Sequence, residues 1–461
     1  MADEADDILL EEKDSYALDE SLRGQVRRAV LAEDLAAIDA LMEPLHPADI
    51  ADLLEQISGA EREALLHLWS AGVDGEVLSE LDENLREEVI SFLPDHVLAE
   101  AVRELDSDDV VDLVEDLEDH QQEAILGALD DADRAAVEEA LSFPEDSAGR
   151  LMQREVVRAP EHWTVGEMID HLRHHKADLP EQFYHVILVD PRMKPTGYVT
   201  LGRMLSTPRD TELTEITEDS FRVIPATQPE EEVAYAFNQY HLISAPVVDD
   251  DGRLVGAITI DDAMAVLDAE AEEDILRLAG VGEGRLSDRI IDTTRRRFPW
   301  LAVNLVTAIL ASLVIAQFEA AIAQLVALAV LMPIVASMGG NAGTQSLTVA
   351  VRAIATKDLT RSNLMRVIVR EAGVGLINGL IFAVVMGAVG LIWFGSMALG
   401  GVIALAMVIN LLVAGLAGIL VPVTLDRFGV DPALASGAFV TTVTDVVGFF
   451  AFLGLAVLVL L

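Results

Sequence analysis

The chain has 461 residues, enough for several domains, and its 78 acidic against 31 basic residues give a formal net charge of −47. This charge argues against a nucleic-acid partner, because phosphate recognition needs positive charge, and it favours cations as ligands. The chain contains no cysteine, so disulfides and thiolate metal sites are excluded and hard, oxygen-ligated ions remain.

The negative charge is concentrated in the first part of the chain. Residues 286–461 carry ten basic and eight acidic side chains, so residues 1–285 carry 21 basic and 70 acidic ones. We assign residues 1–20 as a flexible acidic leader. From residue 21 to residue 144, apolar residues recur three or four positions apart in short segments, which predicts an all-helical domain. We interpret most of the acids on its helix faces as solvated surface.

Residues 145–263 contain two similar units, each with a short apolar strand, a helix and a strand pair around a turn. The run Gly-Arg-Leu-Val-Gly-Ala-Ile-Thr-Ile-Asp-Asp-Ala-Met, which begins at Gly252, resembles a CBS domain, so the segment resembles an α+β tandem CBS pair. CBS pairs often bind adenosine nucleotides. The Thr-x-x-Asp signature is present in the second unit, at Thr259 and Asp262, whereas the first unit has Arg203 after Thr200, so a nucleotide cofactor stays open.

A long acidic helix is predicted from Asp262 to Val281, and residues 264–284 are assigned as a connecting segment that closes with Gly280, Gly282 and Gly284. The helix carries Asp268, Glu270, Glu272, Glu273 and Asp274. Like charges at these spacings destabilise a helix unless salt screens them or divalent ions bridge them to other acidic surfaces.

The last part of the chain, residues 285–461, is predicted to be a five-helix transmembrane domain. The predicted spans are about Phe298–Gln317, Ile322–Met338, Gly373–Phe394, Met397–Val421 and Ala433–Leu461. Nine basic residues flank the spans on one side and none on the other, which predicts a cytosolic N-terminus and an outside C-terminus in the plasma (inner) membrane.

One carboxylate interrupts the last span. Asp445 is the sole ionisable residue after Ala433, and the helical rise places it roughly 18 Å into the span, near the bilayer midplane. A lone carboxylate at that depth costs several kcal/mol unless it faces water, a cation or a partner, so it indicates a functional site. Thr441, Thr442 and Thr444 add hydroxyls beside it. We interpret this segment as a cation site in a pore.

The second span contains Pro-x5-Gly-Gly-Asn-x-Gly-x-Gln, from Pro333 to Gln345, whose glycines are either helix-packing contacts or part of a water-filled path. With Asp431-Pro432-Ala433, Asp445 and Glu-Asp-Ser-Ala-Gly at 145–149, this motif resembles the MgtE magnesium channel/transporter family over residues 21–461. The resemblance implies a homodimer with the pore between the subunits, an N domain, a CBS pair, and a plug helix that closes the pore when cytosolic Mg²⁺ is high.

The resemblance also implies metal-binding residues. Asp445 matches the pore carboxylate, Asn341 the motif asparagine near it, and Asp431 the acid at the cytosolic mouth. Acids of the plug helix and its approach, of the N domain and of the CBS pair are matched by Asp274, Glu273, Glu270, Asp262, Glu76, Asp108, Asp112 and Glu231. Three positions depart from the family pattern. His241 and Ala265 stand where relatives have Asp, which argues against one inter-CBS metal site, and Ala438 replaces a proline.

These features predict a channel for Mg²⁺, which is both the transported and the regulatory ion, rather than an enzyme, since no nucleophile–base constellation is apparent. Two alternatives stay open. One is an ion-coupled secondary transporter of Mg²⁺ or Co²⁺, in which Asp445 carries a proton or Na⁺. The other is a membrane-tethered sensor, which leaves Asp445 and the Gly-Gly-Asn segment without a purpose.

Overall fold

The computed structural model describes residues 20–81, 83–103, 105–115, 117, 119–176, 179–180, 183–218, 221–281 and 290–461. Residues 1–19 of the predicted leader, together with Gly282 and Gly284, lie outside the described residues. The described residues form two compact units, one ending at Leu267 and the other beginning at Asp268.

The first unit opens with a layer of short helices. In chain order these are α1 (Glu20–Leu31), α2 (Leu35–Met42), α3 (Pro47–Gln56), α4 (Gly59–Trp69), α5 (Gly75–Ser79), α6 (Glu83–Phe92), α7 (Asp95–Arg103), α8 (Ser107–Glu115), α9 (Asp119–Leu126) and α10 (Asp131–Ala140). Local capping sets several of their boundaries: the Ser58 backbone N–H, for example, donates to Glu61 Oε2 at 3.2 Å before α4. The apolar stripes meet in one core, where Leu53, Leu65 and Leu78 have no exposed surface.

Two small sheets follow, each built in the same way. The first has β1 (Arg158–Pro160), α11 (Val165–His174), β2 (His185–Val189), β3 (Pro195–Thr200) and α12 (Leu201–Ser206); the second has β4 (Ile224–Pro225), α13 (Glu230–Tyr240), β5 (Ser244–Val248) and β6 (Leu254–Thr259). In each sheet the first strand pairs parallel with the second, and the second pairs antiparallel with the third. The two repeated α+β units predicted from the sequence are therefore confirmed.

One long helix, α14 (Ile260–Ala279), follows β6 directly. It begins two residues before the predicted start at Asp262, because the Asp262 carboxylate accepts hydrogen bonds from the hydroxyl and the backbone N–H of Thr259. It ends where Gly280 adopts a φ of 67°, a left-handed conformation that glycine reaches without strain.

The second unit is dominated by helices. They are α15 (Ile290–Ala316), α16 (Glu319–Gln324), α17 (Ala327–Ala355), α18 (Leu364–Phe394), α19 (Met397–Arg427) and α20 (Pro432–Leu460). Among the described residues, five helices are long and apolar enough to cross a membrane: all of these except the short α16. This agrees with the five predicted spans.

The second span differs from its predicted bounds. The chain forms the short helix α16 first, and α17 then runs unbroken to Ala355 rather than ending near Met338. The Gly-Gly-Asn motif is thus helical, with Gly339 and Gly343 packed against neighbouring helices. Close helix–helix contact compensates for the weak helix propensity of glycine, which is why the helix continues.

Candidate ion path and acidic cluster

The motif residues of the second unit lie on two antiparallel helices, α17 and α20. A Cβ atom at Gly340 would lie 3.8 Å from Thr441 Cγ2, and one at Gly343 would lie 3.5 Å from Thr444 Cγ2. Further along α17, Leu347 packs in the same cluster as Ala433, near the start of α20. This register puts Asn341 and Asp445 at a similar depth on adjacent helices.

α17 carries a polar stripe within a mainly apolar helix. Its members are exposed and recur at three- and four-residue spacing: Asn341, Thr344, Gln345 and Thr348. The hydroxyl of Thr344 donates to the Gly340 carbonyl at 3.0 Å, and on α20 the hydroxyl of Thr441 donates to the Gly437 carbonyl at 3.0 Å. Because these hydroxyl hydrogens are used within their own helices, the oxygen lone pairs are left to accept hydrogen bonds from water or to face a cation.

A cavity of about 560 Å³ opens beside this stripe. Its polar walls include Asn304 of α15, Thr344 and Thr348 of α17, and Thr441 of α20. Arg277 and Arg297 line it as well. A cavity of this volume has room for several water molecules, but most of its lining is apolar, and neither Asn341 nor Asp445 lines it.

Asp431 caps the start of α20 and forms an ion pair with Arg277. Its Oδ1 accepts the Ala433 backbone N–H at 2.8 Å, and its Oδ2 accepts Arg277 Nη1 at 2.6 Å. Arg277 also forms an ion pair with Glu273, one turn earlier on α14. The structure thus brings the predicted residues Asp431 and Glu273 together around one guanidinium. Glu270 and Asp274 lie on the same helix, both partly exposed.

The first unit contains a cluster of half-buried carboxylates, Asp108, Asp109 and Asp262, at the starts of α8 and α14. Burial, with the negative charges of Asp262 and Asp109 beside it, raises the pKa of Asp108 well above its usual value. Burial, Asp262 and Asp106 raise the pKa of Asp109 to about 7. Burial raises the pKa of Asp262 to about 6, although the hydrogen bond from Thr259 opposes this. Carboxylates whose pKa values are raised in this way hold a proton more readily near neutral pH.

The other acids predicted in the first unit lie outside this cluster. Asp112 forms an ion pair with Arg86 at 2.8 Å, and Glu76 and Glu231 are exposed in the first turns of α5 and α13. Within the part of the chain that the structure describes, no three His, Asp or Glu side chains are grouped closely enough to hold a metal ion.

The departures from the family pattern have defined surroundings. His241 ends α13 with a φ of 54°, a left-handed conformation that His, Asn and Asp tolerate better than most residues. Ala265 is exposed on α14. Ala438 lies within the continuous helix α20.

Three functional candidates emerge only from the structure: Asp109, Arg277 and Asn410. Asp109 directly follows Asp108, so the sequence indicated Asp109 only through its position next to a predicted metal-binding residue. Arg277 is the one basic residue of α14, a signal that the sequence carried. Asn410, fully buried within α19, stands alone among apolar residues, which also marks it as unusual.

Comparisons with known proteins agree with this architecture. Residues 332–455 match the MgtE family model, described as a divalent cation transporter; residues 45–146 match the MgtE intracellular N domain; and residues 148–209 and 213–269 match the CBS domain. The magnesium transporter MgtE of Thermus thermophilus is 34% identical over 450 residues, which cover 96% of this chain and 99% of that protein. The chain belongs to the MgtE family. Its predicted family and fold class are therefore confirmed, and it is a multi-pass membrane protein.

Other MgtE proteins match over a shorter length. The magnesium transporter MgtE of Bacillus subtilis is 31% identical over 326 residues, covering 70% of this chain and 72% of that protein. A solved structure, the cytosolic domain of the Mg²⁺ channel MgtE in complex with ATP, is 31% identical and covers 53% of this chain and 99% of that chain, with a TM-score of 0.49.

Proposed function

We propose that this chain imports Mg²⁺ as a channel, down its electrochemical gradient, and that cytosolic Mg²⁺ closes it. The observation that carries the proposal is that the polar stripe of α17 and Asp445 of α20 lie on adjacent helices, two features that a purely anchoring helix pair does not need. The names of the relatives, magnesium transporters of the MgtE family, support Mg²⁺ as the ion.

The chemistry of Mg²⁺ explains the choice of residues. Mg²⁺ holds its water tightly and demands octahedral oxygen geometry. We propose a homodimer in which Asp445 of each subunit contacts the hydrated ion through its water shell, with Asn341 and the threonine hydroxyls as further acceptors. Selectivity then rests on hydrated size and charge. An inward membrane potential favours the entry of a divalent ion by about 4–5 kcal/mol per 100 mV.

Closure is proposed to follow from the acids of the cytosolic region. When cytosolic Mg²⁺ is scarce, the carboxylates of the N domain, CBS pair and α14 repel one another. When Mg²⁺ is plentiful, shared ions bridge them and stabilise the closed state, because only a difference in ion binding between the two states shifts the equilibrium. The proposed sharing residues are Glu76, Asp108, Asp112, Glu231, Asp262, Glu270, Glu273 and Asp274, with Asp431 at the cytosolic mouth.

The proposal is tested by Asp445→Asn, which keeps the size of the side chain and removes its charge. We expect Mg²⁺ influx into proteoliposomes to fall at least about tenfold, the effect of losing roughly 1.4 kcal/mol of ion stabilisation. Asp426→Asn is the matched control, because Asp426 is an exposed acid near the end of α19 and its influx should stay at the parent rate. Equal influx through the Asp445 variant would remove this carboxylate from the ion path. Single-channel currents separate a channel from a coupled transporter.

A further inference from the structure

Asn410 is a polar side chain in an unusual position. It lies in the middle of α19, a membrane-length helix, and has no exposed surface. Its amide nitrogen Nδ2 donates a hydrogen bond to the backbone carbonyl of Val335 on α17 at 2.8 Å. Its Oδ1 has no hydrogen-bond partner among the described residues. A buried amide in a membrane helix is costly, so a role other than packing is expected.

Two glycines make room for this amide. Gly339 of α17 and Gly448 of α20 both lie against it: a Cβ atom at Gly448 would be 2.9 Å from Nδ2, and one at Gly339 would overlap the amide. The Asn410 side chain is therefore clamped between the two helices that carry the polar stripe and Asp445. Gly339 precedes Asn341 by two residues, and Gly448 follows Asp445 by three.

We propose that Asn410 is a positioning residue that sets the spacing of α17 and α20, and through it the discrimination among hydrated divalent ions. The amide acts as a spacer of fixed thickness, since its planar group fills the gap between two Cα atoms and its hydrogen bond fixes its orientation. Selection by hydrated size depends on the width of the path. The selectivity part of the inference rests on the proposed transport function, whereas the spacing part does not.

The spacing is measured by cross-linking in the full-length chain. The chain has no cysteine, so Gly340→Cys with Thr441→Cys gives a reporter pair free of background on facing positions of α17 and α20. In this background Asn410→Leu, which keeps the volume but loses the donor, should change the rate of intrachain disulfide formation by roughly three- to tenfold, the effect expected from one interhelical hydrogen bond. Interchain products are separated by their mass.

Matched variants distinguish spacing from general damage. Met407→Leu changes a fully buried residue one turn earlier on α19 with little change in volume, and it should leave the cross-linking rate unchanged. Gly448→Ala should shift the rate because its new methyl group pushes on the amide. Asn410→Ala combined with Gly448→Ala should restore much of the parent rate, because the methyl group then enters the space that the amide vacates.

The transport readout uses the same Asn410 and Met407 variants without the cysteines. Asn410→Leu should alter the ratio of Mg²⁺ to Co²⁺ influx, whereas a loss of folded protein lowers both influxes together. Parent cross-linking rates in both Asn410→Leu and Gly448→Ala overturn the spacing inference. If Asn410→Leu does not insert into the membrane, the spacing inference is judged by two other cross-linking rates. The rate should change in Gly448→Ala, and it should return toward the parent rate in the double variant Asn410→Ala, Gly448→Ala. Altered cross-linking with an unchanged influx ratio overturns the selectivity role. A parent without Mg²⁺ influx contradicts the proposed function but leaves the cross-linking result valid.

Discussion

At the scale of single residues, the half-buried carboxylates of the first unit raise one another's pKa values. Asp109 has a pKa of about 7 and Asp262 a pKa of about 6. Burial is the main cause of both increases, and neighbouring negative charge adds to it. The hydrogen bonds from Thr259 lower the pKa of Asp262 and so oppose part of its increase. Each carboxylate therefore binds its proton more tightly in the folded cluster than in the unfolded chain. Ionising them at neutral pH destabilises the packing of α8 against the start of α14, and a bound cation or proton relieves this.

The sign of the pH dependence follows from those values. Stability of the cluster should rise as pH falls from about 8 through 7 and 6, and should level off near the unfolded value of about 4, because the folded state takes up the extra protons in that interval. Asp109→Asn removes one charge, so at pH 8 it should slow amide hydrogen exchange in α8 roughly tenfold, for about 1–2 kcal/mol of relief. Near pH 4 the variant and the parent should be alike. The control is Asp39→Asn, an exposed acid of α2. Faster amide exchange in α8 of the variant at pH 8 would contradict the claim that ionised Asp109 destabilises this packing.

How far the sequence predicted these residues depended on the kind of signal. Asp445 could be placed by counting along an apolar span, because depth in a membrane follows from helical rise. Asn341 was selected from the Gly-Gly-Asn motif instead, since it lies beyond the predicted end of the second span. The sequence marked Asp109 only through the adjacent Asp108, and Asn410 only as a lone amide in an apolar span. The features that distinguish them, the neighbouring carboxylates and two facing glycines, involve tertiary neighbours distant in sequence.

At the scale of elements, α14 links its acidic run to the start of α20 through Arg277. A guanidinium between Glu273 and Asp431 supplies positive charge at a position where the proposed closure invokes a metal ion. The long acidic helix itself was predictable from its composition and helical period. Its partner was not, because the Arg277–Asp431 contact joins residues 154 positions apart.

Replacement of Arg277 tests this contact. If the ion pair stabilises the closed state, Arg277→Gln should raise the Mg²⁺ concentration needed for half-inhibition by roughly three- to tenfold, as expected for a partly exposed charged pair with two acceptors. Arg277→Lys should recover part of this, since an ammonium does not form the same forked contact. Arg297→Gln is the control, because Arg297 lines the same cavity but has no ion-pair partner among the described residues. Patch recordings across a Mg²⁺ series give the midpoints, and a lower midpoint in Arg277→Gln would oppose a closing role.

The second membrane helix shows the limit of reading elements from hydropathy. The prediction ended near Met338 because the following residues are small and polar, yet α17 continues for nearly five turns beyond that point to Ala355. Hydropathy measures the cost of facing lipid, and it does not register that two members of the polar stripe, Thr344 and Thr348, line a cavity. The helix persists because packing against α19 and α20 outweighs the low propensity of its glycines.

At the scale of the whole molecule, domain order and fold class were predictable because each region has its own pattern: helical period, repeated α+β unit, acidic run and apolar spans. In the proposed mechanism, the sensitivity of closure to Mg²⁺ depends instead on the number of carboxylates available to share ions. His241 and Ala265 lower the number of such carboxylates by two, since the family resemblance predicts an Asp at each position. A closed state with fewer shared ions should need more Mg²⁺ to become dominant.

The double variant His241→Asp, Ala265→Asp tests this expectation on the intact protein. Mg²⁺ prefers oxygen ligands, so two added carboxylates repel when the ion is absent and bridge when it is present. Both effects enlarge the difference between open and closed states, by about 1–3 kcal/mol for a typical coupling. Closure, followed as protection of the cytosolic region from protease, should therefore occur at lower Mg²⁺ than in the parent. His241→Asn with Ala265→Asn is the matched control, because Asn has the shape of Asp, tolerates the left-handed backbone at position 241 and lacks the charge. Protection of the Asp variant at the same Mg²⁺ concentration as the Asn control would mean that this corner of the CBS pair binds no shared ion.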